Sequence, residues 1–140
     1  WGVLGGGVLS GKYKSPKDRP AGARYSKDEV WAAAMVTDRS VRIAETALQV
    51  AKETGRTASQ VALAWVRQQP FGVIVPILGA KTVAQLQDNL GSLDFTLGPD
   101  PLARLDAASK VDLGFPHDFL VQARSYIFGK TFPLIDDHRA

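Results

Sequence analysis

Cysteine is absent from this chain of 140 residues. That excludes disulfides, thiolate nucleophiles and cysteine-ligated zinc, and it fits a reducing compartment. Long apolar runs are missing too. No stretch approaches the length needed to cross a bilayer, and nothing has the form of a cleavable signal peptide, so no membrane partner is expected. A starting methionine is also lacking: Trp1 opens directly into an apolar, glycine-rich stretch. A natural start usually has a polar, frayed lead-in, so further sequence is expected upstream. Charge of one sign is not in large excess. The net charge is +3 with both signs mixed along the chain, which reads as solvated surface and not as a nucleic-acid patch. Neither an internal repeat nor a low-complexity segment occurs.

The rest is ordinary for a globular protein, with 45% hydrophobic and 22% charged residues and enough length for one modest core. Trp1, Gly2, Val3 and Leu4 suggest the end of a buried strand, running into the glycine-rich stretch of residues 5–11. Residues 12–37, broken by Pro16, Pro20 and Gly22, are expected to be a long loop with one short helix near 27–35. From about Asp38 the pattern turns helical, with Val41, Ala44, Leu48 and Ala51 on one face, broadened by Ile43, Ala47 and Val50. Gly55 ends that helix. Thr57 and Gln60 then have the spacing of a capping box, in which each side chain satisfies an amide that the first helical turn leaves unpaired. The helix that follows is apolar nearly all round and closes at Pro70.

Residues 72–78 are a short apolar run rich in β-branched side chains, as in a parallel strand covered on both faces. Thr82 and Gln85 have capping-box spacing again, and the next helix puts Val83, Leu86 and Leu90 on one face. Another helix runs from Pro99 to about Ser109, with Leu102 and Leu105 inward. The tail from Leu113 is expected to be ordered loop and short helix packed on a larger body. Strands alternating with helices suggest an α/β architecture, and two strands are too few for a sheet of their own.

Several motifs offer chemistry. Gly6, Gly11 and Lys12 match G-x-x-x-x-G-K, but Tyr13 stands where a P-loop needs a hydroxyl for magnesium, and prolines replace the required helix. Gly5, Gly7 and Gly11 imitate a dinucleotide fingerprint without the helix whose N-terminus would hold a pyrophosphate. Asp136, Asp137 and His138 lack convincing further ligands, so they read as a solvated tail and no metal site is assigned. His117 reads as a structural loop residue. Phe115, Phe119 and Phe128 suit pocket lining and packing equally. Residues 79–89 carry more. Lys81, Gln85, Asp88 and Asn89 recur at helical spacing behind an apolar run, where free amides and the helix dipole favour an anion. A solvated polar face would have the same spacing.

Taken in order, three segments resemble aldo/keto reductases: Gly11-Lys12-Tyr13 after the tryptophan and glycine stretch, residues 55–65, and residues 76–90. The closing residues 114–120 and 135–139 are similar to a bacterial branch of that family. The resemblance implies a TIM barrel, with residues 1–140 as its C-terminal half, supplying the last two strands with their helices. The missing N-terminal half would then be the chain's partner. It also implies a cytoplasmic oxidoreductase that uses NADP(H) to reduce a small-molecule aldehyde or ketone. Trp1 falls where the family stacks an aromatic on the nicotinamide. Gly2, Leu4 and Gly5 fall around the pyrophosphate, and Ser10, Lys12 and Arg24 on the loop that folds over it. Gly79, Lys81, Gln85, Asp88 and Asn89 match the positions that hold the 2′-phosphate and adenine. The family commonly has Ser-Pro after the tryptophan, where this chain has Gly2 and Val3. Its catalytic tyrosine, lysine, aspartate and histidine belong to earlier strands. Tyr13, Tyr25 and Tyr126 do not correspond to that tyrosine, so no catalytic residue is assigned. Two other readings share the resemblance: a regulatory subunit that binds cofactor without turnover, and an inactive half-barrel that aggregates or dimerises through apolar strand edges.

Overall fold

The computed structural model describes residues 1–27 and 29–136. It divides into two units, Trp1–Ser109 and a second one beginning at Lys110. In the first unit the chain forms a tight glycine turn and then α1 (Glu29–Met35), α2 (Asp38–Thr54), α3 (Ala58–Arg67), α4 (Val83–Leu90) and α5 (Pro99–Ser109). The second unit holds α6 (His117–Gln122), α7 (Arg124–Phe128) and a 3₁₀ turn at Gly129–Leu134. His117, read from sequence as a loop residue, begins α6. Phe115, Phe119 and Phe128 are all exposed. No helix among the described residues is long and apolar enough to cross a membrane.

Local chemistry explains where the helices begin and end. The Thr37 hydroxyl accepts from the Ser40 amide, and the Ser40 hydroxyl accepts from the Thr37 amide, so two donors left open by the first turn of α2 are satisfied. Gly55 ends α2 at a φ of 65°, in the left-handed region. The Thr57 and Gln60 box forms at the start of α3 as expected. At α4 only half of the expected box forms. The Thr82 hydroxyl accepts from the Gln85 amide, but the Gln85 carboxamide turns to the Lys81 N–H at 2.8 Å. The preceding amide is within reach of the same side chain and takes it.

Two apolar clusters lie along α2. One gathers Val8, Tyr13, Ala23, Tyr25, Ala32, Val36, Val41 and Ala44 beneath the glycine turn. The other joins α2, α3 and α5 through Ala47, Val50, Val61, Ala64, Leu97 and Leu105. Directional contacts set the helices in register. Arg104 reaches Glu53 with two bonds of 2.6 and 3.0 Å, Trp65 donates to Asp106 at 2.7 Å, and Gln68 both donates to and accepts from Leu97.

The expected strands are not formed, and the described residues contain no strand at all. Residues 1–4 enter a turn closed by Gly5 N–H on the Gly2 carbonyl at 2.7 Å, which the positive φ of Gly2 permits. Trp1 is 93% exposed, not buried. Residues 73–78 have no regular structure, and their side chains alternate: Val73, Val75 and Ile77 are 98%, 80% and 69% exposed, while Ile74, Pro76 and Leu78 are half-buried. One side of this segment is therefore covered, where two had been expected. A strand needs a neighbouring backbone for its ladder, and among the described residues none pairs with this segment.

Candidate functional site

The site positions named from sequence fall on three pieces of the first unit. The glycine turn is the first. Gly5, Gly6 and Gly7 have φ of 56°, 65° and 94°, a run that L side chains rarely adopt. The Leu4 carbonyl accepts from both Gly7 and Leu9, and the Ser10 hydroxyl donates to the Gly7 carbonyl at 2.7 Å. Lys12 runs beside Gly7, so near that a Cβ there would stand 3.2 Å from its Nζ. Gly2, Leu4, Gly5, Ser10 and Lys12 thus make one compact local structure.

The second piece is the loop of residues 12–27. It carries six of the seventeen lysines and arginines, against one acid, Asp18. The chain as a whole mixes its charges, but this loop does not, and counting by window would have found it. Arg19 fastens the loop by donating to the Pro16 and Asp18 carbonyls and ties it to α1 by donating to Glu29. Arg24 is exposed.

The start of α4 is the third piece. Its link to the loop is Lys81, whose Nζ donates to the Gly22 carbonyl at 3.1 Å across 59 residues of sequence. The structure therefore joins the loop bearing Arg24 to the segment bearing Gly79, Lys81 and Gln85, all of them exposed. Asp88 accepts from the Thr57 hydroxyl at 3.1 Å, and its carbonyl accepts from Gln60 at 2.9 Å. Gln60 also approaches Gly91 so closely that any Cβ there would collide with its amide nitrogen.

Asn89 departs from the expected polar face. It is only 5% exposed and lines a cavity of about 160 Å³ with Leu63, Arg67, Pro76, Leu78 and Ser92. Val83, Leu86 and Leu90, expected to point inward, are exposed instead. The Arg67 guanidinium donates to the Ser92 carbonyl at 2.7 Å, and Leu90, though half exposed, borders the same cavity. Among the described residues no cluster of potential metal ligands occurs, and Asp137 and His138 lie outside them.

The model of the aldo/keto reductase family matches residues 1–110. The chain belongs to the aldo/keto reductase family. Its relatives include AAD15 of Saccharomyces cerevisiae, which carries an aryl-alcohol dehydrogenase name and is 31% identical over 122 residues, 86% of this chain and 83% of that protein. Protein tas of Escherichia coli K12 is 35% identical over 114 residues, 79% of this chain and 31% of its own length. Norsolorinic acid reductase of Aspergillus flavus is 27% identical over 123 residues, 87% and 28%. The chain therefore spans most of AAD15 but about a third or less of the other two. Family membership implies an oxidoreductase, a TIM-barrel fold and, in general, a nicotinamide cofactor.

The donor set suits such a cofactor. Glycines in the left-handed region let a backbone approach a ligand closely, and Lys12, Arg24 and Lys81 are cations of the kind a phosphate group would need. Sequence alone had pointed to these residues. It had not pointed to Gly22 as the partner of Lys81, or to Gln60 and Thr57 as the partners of Asp88, because each pair lies far apart along the chain.

Proposed function

We propose that this chain is the C-terminal half of an NADPH-dependent carbonyl reductase, residues 1–140 supplying the last two strands of the barrel with their helices and most of the cofactor surface. The observation that carries the reading is the Lys81 bond to Gly22, which brings the basic loop and the start of α4 onto one exposed surface in a chain of this family. Lys81 and Arg24 bind the adenosine phosphates there, and Gln85 and Asp88 border the adenine. Asn89 supports that border from within. Gly2, Leu4, Gly5, Ser10 and Lys12 hold the pyrophosphate, and Trp1, already exposed, offers its ring to the nicotinamide. When bound, the cofactor supplies hydride to a small aldehyde or ketone. The residues that protonate the carbonyl belong to the other half of the barrel, which is this chain's partner, and the whole protein works in the cytoplasm.

The reading is tested by following NADPH oxidation by the full-length protein with a panel of aromatic and aliphatic aldehydes and ketones. Steady turnover with an aldehyde such as nitrobenzaldehyde is expected. Tight NADPH binding without turnover on any carbonyl would favour a regulatory subunit, and no NADPH binding would sink the reading entirely.

A further inference from the structure

Tyr25 lies in the most cationic part of the chain, yet it is only 6% exposed, and Tyr13 beneath it is 1% exposed. Their rings are 6.1 Å apart and tilted by 36°, and the Tyr13 hydroxyl accepts from the Tyr25 N–H at 3.2 Å. The other side of Tyr25 covers the glycine turn. A Cβ added to Gly6 would overlap its hydroxyl, Cζ and Cε2. Gly6 is thus needed twice, for its φ of 65° and for the space its missing side chain leaves to the tyrosine. Arg24 directly precedes Tyr25, and Gly22, which accepts from Lys81, is three residues before it.

We propose that Tyr25 is a positioning residue that latches the loop of residues 20–25 onto the glycine turn at Gly6, so that Arg24 and the turn meet the cofactor's phosphates as one preformed surface. Without the latch, the loop would have to be ordered as the cofactor binds, and that cost would appear as lost affinity. The inference rests on the cofactor reading above, and its test separates the two.

In the full-length protein, Gly6→Ala, Tyr25→Ala and the double variant would be compared by NADPH titration, using quenching of tryptophan fluorescence. Each single change is expected to weaken binding about tenfold. The double variant should be no weaker than the worse single one, because both remove the same contact. Tyr25→Phe keeps the ring and should retain most of the affinity. The cofactor KM should rise in Tyr25→Ala with kcat falling less than about twofold. Trypsin gives a readout that needs no cofactor. Cleavage after Lys17 and Arg24 should quicken in Tyr25→Ala at temperatures where the thermal melt shows the protein still folded. Wild-type binding with unchanged affinity in the variants, or strictly additive losses, would overturn the latch and leave the cofactor reading standing. Failure of the wild-type protein to bind NADPH would overturn the cofactor reading, and the trypsin rates would then decide the latch alone.

Discussion

At the scale of single residues, Lys81 and Glu53 are each held by a bonded partner. Lys81 spends one hydrogen on the Gly22 carbonyl, which holds its charge beside the basic loop. If Lys81 binds the 2′-phosphate as proposed, Lys81→Met should lower the preference for NADPH over NADH by about tenfold, since a charge-assisted bond contributes roughly 1.5–3 kcal/mol and exposure discounts it. The measurement is the ratio of kcat/KM for the two cofactors, and an unchanged ratio would remove Lys81 from the 2′-phosphate site. Glu53 shows the same economy at a site with no ligand. The hydrogen bond from Arg104 lowers its carboxyl from the ordinary value of 4.5, slight burial opposes this, and the Arg104 charge adds to the lowering. A depressed folded value means that the pair contributes stability above the ordinary value and loses it as pH falls through the folded one. Glu53→Gln should accordingly lower the urea midpoint at neutral pH, and the difference from wild type should fade in acid. A difference that persists in acid would mean the bond does not depend on ionisation.

Among the helices, the three threonine caps make unequal predictions. Thr37 and Thr82 each accept one amide, whereas Thr57 accepts the Gln60 amide and also donates to Asp88 on α4. Losing a threonine cap typically costs about 1 kcal/mol. Thr57→Ala should cost more than Thr82→Ala because it also loosens α4, and denaturant unfolding of the three variants would rank them. Equal costs would mean the Asp88 bond contributes nothing. The Thr57 cap was also the most legible of the three in the sequence, and Thr37 was not singled out there. Thr57 and Gln60 lie three residues apart, so their geometry depends on nothing outside one helical turn. The Thr82 box was read from identical spacing and formed only in part, because Lys81 offered Gln85 a competing amide. Sequence spacing shows which bonds are possible and does not rank them.

For the molecule as a whole, the uncovered apolar surface dominates. Val73, Val75 and Ile77 are exposed on the segment before α4, and Val83, Leu86 and Leu90 are exposed on the helix itself. So many exposed apolar side chains invite association. The 140-residue chain alone is expected to dimerise or aggregate and to bind a hydrophobic dye. Co-expression with the upstream half of a barrel should suppress both, as read by light scattering and dye fluorescence. A monodisperse, cooperatively melting monomer that ignores the dye would contradict the half-barrel reading.

What the sequence determined by itself was local or shared with relatives. Helices α2, α3 and α5, the Thr57 cap and the terminating Gly55 follow from contacts three or four residues apart, and the order of family motifs placed the chain among aldo/keto reductases. Tertiary structure alone decided whether the apolar run of residues 72–78 became a strand, which side of α4 was buried, and that Lys81 meets Gly22 and Tyr25 covers Gly6. Each of those outcomes depends on a neighbour distant in the chain. The periodicity of a segment shows that it has an apolar side, and only the rest of the fold settles what that side faces.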